Sequence, residues 1–344
     1  MDALIAMSGG VDSSVAALLA MQQGYRCAGA TMHLHACGSI EDAAAVAAKL
    51  GIPFYEIDAT QDFRTHVKDA FVQSYEAGLT PNPCIECNRY LKFGLLLEYA
   101  LDAGFSYVVT GHYARIRKDA VSGRYLLEKA ADERKDQSYF LSRLTQHQLS
   151  HTLFPLGSLT KTEARQIAQD NGFINAKKKD SQDICFIPDG DYMVFLQEYT
   201  GKQYPPGDFL DQNGRIIGKH KGAVAYTCGQ RKGLGLAMGA PVYVCGKDMD
   251  RNTVTVGPNE ALFHRTAVAC DWNWISIPSL TEPLRCKAKA RSRMVEQPAT
   301  VYPGENGTAR VVFDEPQRAI TSGQTVALYD GDTVIGGGTI TEAK

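Results

Sequence analysis

The sequence predicts an α/β protein, with a doubly wound parallel sheet in residues 1–204 followed by two small β modules, residues 205–277 and 278–344. Three observations predict it. Apolar stretches alternate between strand and helix periodicity through residues 1–110. A Gly-Ser turn joins the first strand directly to a helix, and helical periodicity stops at Tyr204-Pro205-Pro206-Gly207. Taken in order, the apolar run Leu4–Met7 is a strand, the Ala/Leu-rich Ser13–Gln23 a helix, and Cys27–Leu34 a second strand. Glu41–Leu50 follows as a helix, Phe54–Ile57 as a strand, Phe63–Tyr75 and Tyr90–Leu101 as helices, and Tyr107–Val109 as a short buried strand. Thr160 with Glu163 forms a capping box that starts a helix running to about Asn171. Beyond Gly207 the chain is short β-type runs punctuated by Pro258-Asn259, Asp330-Gly331-Asp332 and Gly336-Gly337-Gly338, with a break at Ile277-Pro278-Ser279.

A chain of 344 residues exceeds one ordinary core, so a catalytic domain with attached modules is expected. Hydrophobic residues at 44% and charged residues at 22% exclude a disordered or fibrous chain. No run of 18 apolar residues occurs and no leader is recognisable, so the expected location is the cytoplasm, away from any membrane. In that compartment the nine cysteines read as metal-binding, catalytic or inertly buried, not as a disulfide framework. Cys27, Cys228, Cys245, Cys270 and Cys286 stand among apolar neighbours and read as inert. The net charge of −2 gives no general attraction for nucleic acid, so any RNA surface must be local.

The strand ending at Met7 runs into Ser8-Gly9-Gly10-Val11-Asp12-Ser13-Ser14 and then into a helix. Two glycines let an anion approach the backbone, successive N–H groups form a nest, and the helix N-terminus favours negative charge. The serine hydroxyls add donors to phosphate oxygens. No G-x-x-x-x-G-K-[ST] motif occurs. A loop that grips terminal phosphates without that lysine suits attack at the α-phosphate with pyrophosphate leaving, Asp12 holding a magnesium ion that offsets the leaving-group charge.

This Ser-Gly-Gly-x-Asp-Ser loop at a first strand resembles the PP-loop ATP pyrophosphatases. Further segments narrow the resemblance: Thr80-Pro81-Asn82-Pro83 with Cys87-Asn88; Thr110-Gly111-His112-Tyr113; Lys135-Asp136-Gln137-Ser138-Tyr139; Asp180-Ser181-Gln182-Asp183-Ile184-Cys185-Phe186; Tyr226-Thr227-Cys228-Gly229-Gln230-Arg231-Lys232-Gly233-Leu234; and Ala319-Ile320-Thr321-Ser322-Gly323-Gln324. Together they resemble the bacterial tRNA-specific 2-thiouridylase family along essentially the whole chain. The resemblance implies an ATP-dependent enzyme that adenylates the C2 oxygen of the wobble uridine of tRNA and replaces it with sulfur, releasing AMP and pyrophosphate. It implies that residues Ala6, Met7, Ser8, Gly9, Gly10, Val11, Asp12 and Ser13 line the ATP phosphates, with Met32 and Gly111 near the adenosine. Asn82, Pro83 and Cys84 would face the target base. His112, Lys135, Asp136, Gln137, Arg291, Ser292 and Gln324 would contact tRNA, and the C-terminal module would be a tRNA-binding β-barrel. A competing reading is another PP-loop adenylating enzyme, a different tRNA thiolase or a synthetase.

The resemblance makes Cys87 and Cys185 the sulfur-handling pair and places Cys185 opposite Cys87. Two departures stand out: Ser292 replaces a more usual Tyr, and Cys84 a frequent Asp. With Cys84 the chain resembles thiolases that hold a [4Fe–4S] cluster on three cysteines, here Cys84, Cys87 and Cys185. The alternative is a persulfide route through Cys87 and Cys185. Either needs a sulfur donor such as a cysteine desulfurase or a sulfur relay protein. His33, His35 and Cys37 alternate as on one strand face and could ligate a metal. Lys177-Lys178-Lys179 reads equally as a solvated run or an RNA-facing loop. Arg285, Lys287, Lys289, Arg291 and Arg293 alternate with small residues, which puts five cations on one strand face, either a polyanion site or a charged edge strand.

Overall fold

The computed structural model describes residues 1–34, 40–176, 178, 184–188 and 190–344. Its N-terminal sheet contains β1 (Asp2–Ala6), β2 (Arg26–His33), β3 (Phe54–Asp58) and β4 (Tyr107–Val109). A hairpin of β5 (Arg115–Lys118) and β6 (Tyr125–Glu128) leaves this sheet, and β7 (Thr152–Leu153) returns to it. The order is β3-β2-β1-β4-β7, every pairing parallel. The order reverses between β1 and β4, and at such a switch point the carboxyl ends of the two strands open a crevice. One face is covered by the helix Val11–Gln22 and the helix Lys161–Asp170, whose Val15, Ala16, Ala164 and Ala168 pack on Ala3, Ile5 and Val109. The other receives Leu96, Leu97 and Ala100 against Leu4, Ala28 and Val108.

The expected helices are present and longer than expected. Helix 60–76 begins at Thr60 and contains a π-helical stretch Arg64–Asp69; helix 83–102 begins at Pro83, a residue suited to a first helical position, and contains a π-helical stretch Cys87–Leu95. The capping box of Thr160 and Glu163 is formed in full.

The central module comprises β8 (Gly207–Leu210), β9 (Ile216–His220), β10 (Tyr243–Asp248) and β11 (Thr253–Gly257) in the order β10-β11-β8-β9. Its core also takes Met193 and Leu196 of the helix Tyr192–Thr200, and Phe71, Val72 and Tyr75 of helix 60–76. By packing, this module therefore starts before the expected boundary at residue 204. The sequence break at Tyr204 marks where helical periodicity stops, whereas the apolar face of the preceding helix already belongs to the β core.

The C-terminal barrel consists of β12 (Phe263–Trp274), β13 (Leu284–Lys289), β14 (Gln297–Pro303), β15 (Ala309–Arg318), β16 (Thr325–Asp330) and β17 (Thr333–Ala343). The order β12-β15-β14-β13-β16-β17 closes through β12–β17, and β6 adds to the outside of β17 at Thr333↔Glu128. The expected break at residues 277–279 thus falls inside the barrel, after its first strand. Gly336-Gly337-Gly338, expected as a turn, lies within β17: a Cβ on Gly337 would come within 2.6 Å of Ser142 Oγ, and one on Gly338 within 2.7 Å of the Trp272 ring. Those glycines serve close approach of the barrel wall to its neighbours.

The cation row also differs from expectation. Arg285 and Lys287 point outward while Cys286 and Ala288 are buried, but β13 ends at Lys289, leaving Arg291 and Arg293 in the following turn. Because β13 pairs with both β14 and β16, it is not an edge strand. Arg285 is paired with Asp314, and Lys287 lies 3.9 Å from Glu296. Among the described residues no helix is long and apolar enough to cross a membrane.

Candidate active site

The phosphate loop lies at the C-terminal end of β1. Met7 N–H donates to Ala30 O at 2.8 Å and Thr31 Oγ1 to Met7 O at 2.5 Å, which fixes the strand end. Gly9 has φ +67, and Ser13 Oγ and Ser14 Oγ both donate to Gly10 O, at 3.1 and 3.0 Å. Gly10 is the N-cap of the helix Val11–Gln22 and supplies no side-chain cap, so the first-turn N–H groups remain available to an anion. Asn175, buried, donates to Gly9 O at 3.2 Å and to Ser14 Oγ at 2.9 Å, bracing the loop from behind. Gly111 closes the other side: a Cβ there would stand 2.6 Å from the carbonyl carbon of Asp12. Met32 lies in β2 beside this crevice, half-buried against Leu95 and Leu96.

Asp12 does not stand alone. Lys161 Nζ lies 2.8 Å from both of its carboxylate oxygens, and the Tyr113 hydroxyl donates to Oδ1 at 2.9 Å. A cation at the first position of a helix opposes the helix dipole, and Asp12 offsets that cost. Lys161 thus brings a cation to the loop from elsewhere in the chain. Lys178 also reaches the loop, 3.4 Å from Gly9 O and 2.8 Å from Asp42 Oδ2, so this member of the lysine run faces the phosphate site; Lys177 and Lys179 lie outside the described residues.

The three thiols gather where helix 83–102 meets the segment carrying Phe186. Cys84 sits in the first turn of the helix that Pro83 opens, and Cys87 starts the π-helical stretch. Cys87 and Phe186 pack on the same apolar cluster of Ala59, Phe63, Val67 and Leu91, which brings Cys185 alongside. Cys84 and Cys185 keep an exposed face. Enough protein surrounds each to raise its thiol above the usual range, and burial pushes Cys87 up to about 11. Lys92, from the same π-helical stretch, is the cation that pulls all three back down. Sequence reading missed it: the α-helical period puts residues 87 and 92 on different faces, whereas the wider π turn brings i and i+5 together. Among the described residues no three His, Cys, Asp or Glu side chains are drawn to metal-binding distance, so the thiols are neighbours without forming a preassembled metal site. His33 pairs with Glu56 at 2.9 Å, and His35 and Cys37 lie outside the described residues, as do Asp180, Ser181, Gln182 and Asp183.

The residues expected at tRNA fall into two groups. His112, Asp136 and Gln137 hold the catalytic domain together. His112 is buried between the rings of Phe93 and Phe154, bonded through Nδ1 to Thr110 Oγ1 at 2.7 Å, and burial first, then Lys92, holds it neutral. Asp136 accepts from Ala130 and Ser138, and Gln137 Oε1 accepts from Tyr113 N–H at 2.9 Å; Lys135 is half-buried beside them. Gln324 and Arg291 tie modules together. Gln324 Nε2 donates to Thr80 O at 2.7 Å, so the barrel grips the segment carrying Asn82, Pro83 and Cys84. Arg291 donates to Cys228 O at 3.0 Å and Thr321 Oγ1 at 2.5 Å, and Ser292 follows it in the turn after β13.

Three family models cover the chain: a tRNA methyl transferase HUP domain at residues 1–189, a tRNA methyl transferase PRC-barrel domain at 193–258, and an aminomethyltransferase beta-barrel domain at 264–340. These limits follow the packing limits described above. The tRNA-specific 2-thiouridylase MnmA of Symbiobacterium thermophilum is 50% identical over 358 residues, covering 99% of this chain and 92% of that protein. The proteins of the same name from Acetivibrio thermocellus and Clostridioides difficile are each 47% identical, covering 98% of this chain and 98% and 97% of their own lengths. With the phosphate loop at the switch point and three thiols gathered on the same domain, the chain belongs to the tRNA-specific 2-thiouridylase family of PP-loop enzymes.

Proposed function

We propose that this protein is an ATP-dependent tRNA uridine 2-sulfurtransferase acting on the wobble uridine. The observation that carries the reading is the convergence of Cys84, Cys87 and Cys185 around Lys92 on a domain that also holds an uncapped phosphate loop. A uracil C2 carbonyl is a poor electrophile with no leaving group. Its oxygen first attacks the α-phosphate of ATP bound at residues 6–13, and pyrophosphate leaves. Sulfur then attacks C2, and AMP departs with the original oxygen. Asp12 is suited to magnesium: its carboxylate supplies hard oxygen ligands at the loop, and Lys161 can pass from Asp12 to the phosphates when the metal and ATP enter. The base must leave its stack to reach this crevice, and grip from the barrel through residues 80–84 holds the loop that receives it.

For the sulfur, the three thiols have the donor chemistry of a [4Fe–4S] site held by Cys84, Cys87 and Cys185, and such a cluster supplies an open iron for hydrosulfide. The exposed thiol of Cys185, near Cys87, supports a second reading. There, a persulfide on Cys185 attacks C2; Cys87 thiolate then attacks Cys185 sulfur, a disulfide forms, and the outer sulfur remains on the base as AMP leaves. Cysteine-to-alanine changes at 87 and 185 test the shared claim: pyrophosphate release with tRNA continues while 2-thiouridine disappears. Iron that purifies anaerobically with the protein and is lost on Cys84→Ala selects the cluster, and full-rate thiolation by iron-free protein from a persulfide donor selects the disulfide route. Thiolation undiminished in both cysteine variants would remove these residues from the mechanism.

A further inference from the structure

Where the barrel meets helix 83–102, one carboxylate is presented in an unusual way. Between the pairs Cys270↔Thr339 and Asn273↔Gly337 the register of β12 on β17 gains a residue, so Asp271 and Trp272 together stand opposite Gly338. Asp271 has φ +48, the left-handed backbone that the first residue of such a bulge adopts most easily as glycine. A bulge takes a side chain out of the alternation of its strand and re-aims it, and the side chain re-aimed here is charged. Its Oδ2 accepts from Arg89 Nη1 at 2.9 Å and from Arg143 Nη2.

The two arginines come from different parts of the catalytic domain. Arg143, buried, follows the helix Ser138–Leu141 and donates through Nη1 to Thr339 Oγ1 at 2.9 Å. Asn273 Nδ2 reaches the carbonyls on either side of it, Ser142 at 3.2 Å and Leu144 at 2.8 Å, so Arg143 is fixed to the barrel wall. Arg89 belongs to the π-helical stretch Cys87–Leu95, and its own carbonyl accepts from Gln148 Nε2 at 3.0 Å. Glu86, on the turn between Cys84 and Cys87, lies within electrostatic reach of both arginines and of Asp271. Two carboxylates and two guanidinium groups thus form a balanced set beside the thiols.

A π-helical stretch is a rare conformation, and one of nine residues needs support from outside the helix. On the N-terminal side of the thiols the barrel clasps Thr80, whose N–H donates to Ser322 O at 2.9 Å, and a Cβ on Gly323 would stand 2.8 Å from that nitrogen. On the C-terminal side the attachment is Arg89 on Asp271. The turn bearing Cys84 and Cys87 is therefore held to the barrel at both ends, and a reacting group displaced by about 1 Å can lose about 10²-fold in rate.

We propose that Asp271 is a positioning residue for sulfur transfer: through Arg89 and Arg143 it locks the turn that carries Cys84 and Cys87 onto the barrel. The proposal rests on the sulfur-handling reading of those thiols above. It assigns the set to the second step of the reaction, since among the described residues no hydrogen bond or ion pair joins Asp271, Arg89 or Arg143 to the phosphate loop.

The test uses the full chain with ATP, magnesium, saturating unmodified tRNA, and a cysteine desulfurase with cysteine as the persulfide source. Asp271→Asn removes the charge and keeps a residue that tolerates the left-handed backbone. In a single turnover its pyrophosphate release should stay within about twofold of wild type while 2-thiouridine forms at least about tenfold more slowly, so that adenylated tRNA accumulates. Arg89→Gln should reproduce the split, and adding it to Asp271→Asn should slow nothing further, because both changes break one contact. Should Asp271→Asn fail to fold, the split in Arg89→Gln decides alone. Wild-type thiolation in these variants overturns the proposal. So do equal losses in both steps, the mark of a merely structural role, and a defect that vanishes at saturating tRNA, the mark of an RNA contact. Wild-type protein that forms no 2-thiouridine, or Cys87→Ala protein that forms it normally, overturns the proposed function instead.

Discussion

Asp12 and Lys161 form a pair at 2.8 Å beside the phosphate loop, and each changes what the other can do. Lys161 neutralises the carboxylate; in the proposed reaction the same two side chains would offer one ligand for the cation and one for phosphate oxygens. Asp12→Ala should lower adenylation by about 10²–10³-fold, the usual loss when a group that stabilises developing charge is removed. It should leave tRNA affinity nearly unchanged, as measured by pyrophosphate release alongside binding. Wild-type release from this variant would show that Asp12 is not part of the loop's chemistry. Asp12 was legible in sequence because it sits in the motif. Lys161 was not, since 149 residues separate the two and the lysine follows a capping threonine like any surface lysine. Its burial is the missing signal, and burial is a tertiary property. The pairing of Cys87 with Cys185 was carried by resemblance; in the structure Cys87 and Phe186, the chain neighbour of Cys185, pack on one apolar cluster.

At the level of elements, every strand and helix expected in residues 1–110 is present, because each carries its own apolar period. The π-helical stretches were not readable, since no propensity distinguishes them from α-helix, and with them Lys92 was missed. Gly111 shows how one element end is forced on another. Its missing Cβ lets the chain after β4 lie against the start of the helix Val11–Gln22. Gly111→Ala should displace that helix start, cost about 1–3 kcal/mol as overpacking does, and abolish ATP-dependent activity; denaturant unfolding and pyrophosphate release check the two effects separately. Unchanged stability and turnover would mean that the close approach is not maintained in solution. The cation row of β13 is shorter than its alternation suggested, because the strand ends at Lys289 and Arg285 is paired with Asp314. Lys287 and Arg293 keep exposed faces. Replacing both by Ala should weaken tRNA binding a few-fold and flatten its salt dependence, and an unchanged salt slope would leave the row as a solubilising surface.

In the whole molecule, three modules are joined by shared cores. Helix 60–76 gives Phe63 to the thiol cluster and Phe71 to the central module, so sulfur chemistry and the first β module share one helix. The barrel reaches the catalytic domain at many places, among them Gln324 on Thr80, the β6–β17 pairing, the Arg89 and Arg143 pairs with Asp271, and a shared core of Tyr139, Leu141, Ala327 and Tyr329. The number and type of modules were legible from the change in periodicity, while their limits were not. Composition reports where helices stop, whereas a module's limit is set by which core a helix or strand buries into, as Met193, Leu196 and β12 illustrate. The tRNA-facing roles of His112, Asp136 and Gln137 were carried by resemblance, and here those side chains brace the domain from within. The central claim is that cleavage of ATP to pyrophosphate and an adenylated uridine on this chain places sulfur at C2 of one uridine as AMP leaves. The most direct measurement incubates purified protein with ATP, magnesium, a sulfur donor and unmodified tRNA, then digests the RNA and analyses its nucleosides by mass spectrometry. One 2-thiouridine per tRNA at the wobble position, absent without ATP and absent with Asp12→Ala, is the predicted result; unmodified uridine there under full turnover of ATP would contradict the account.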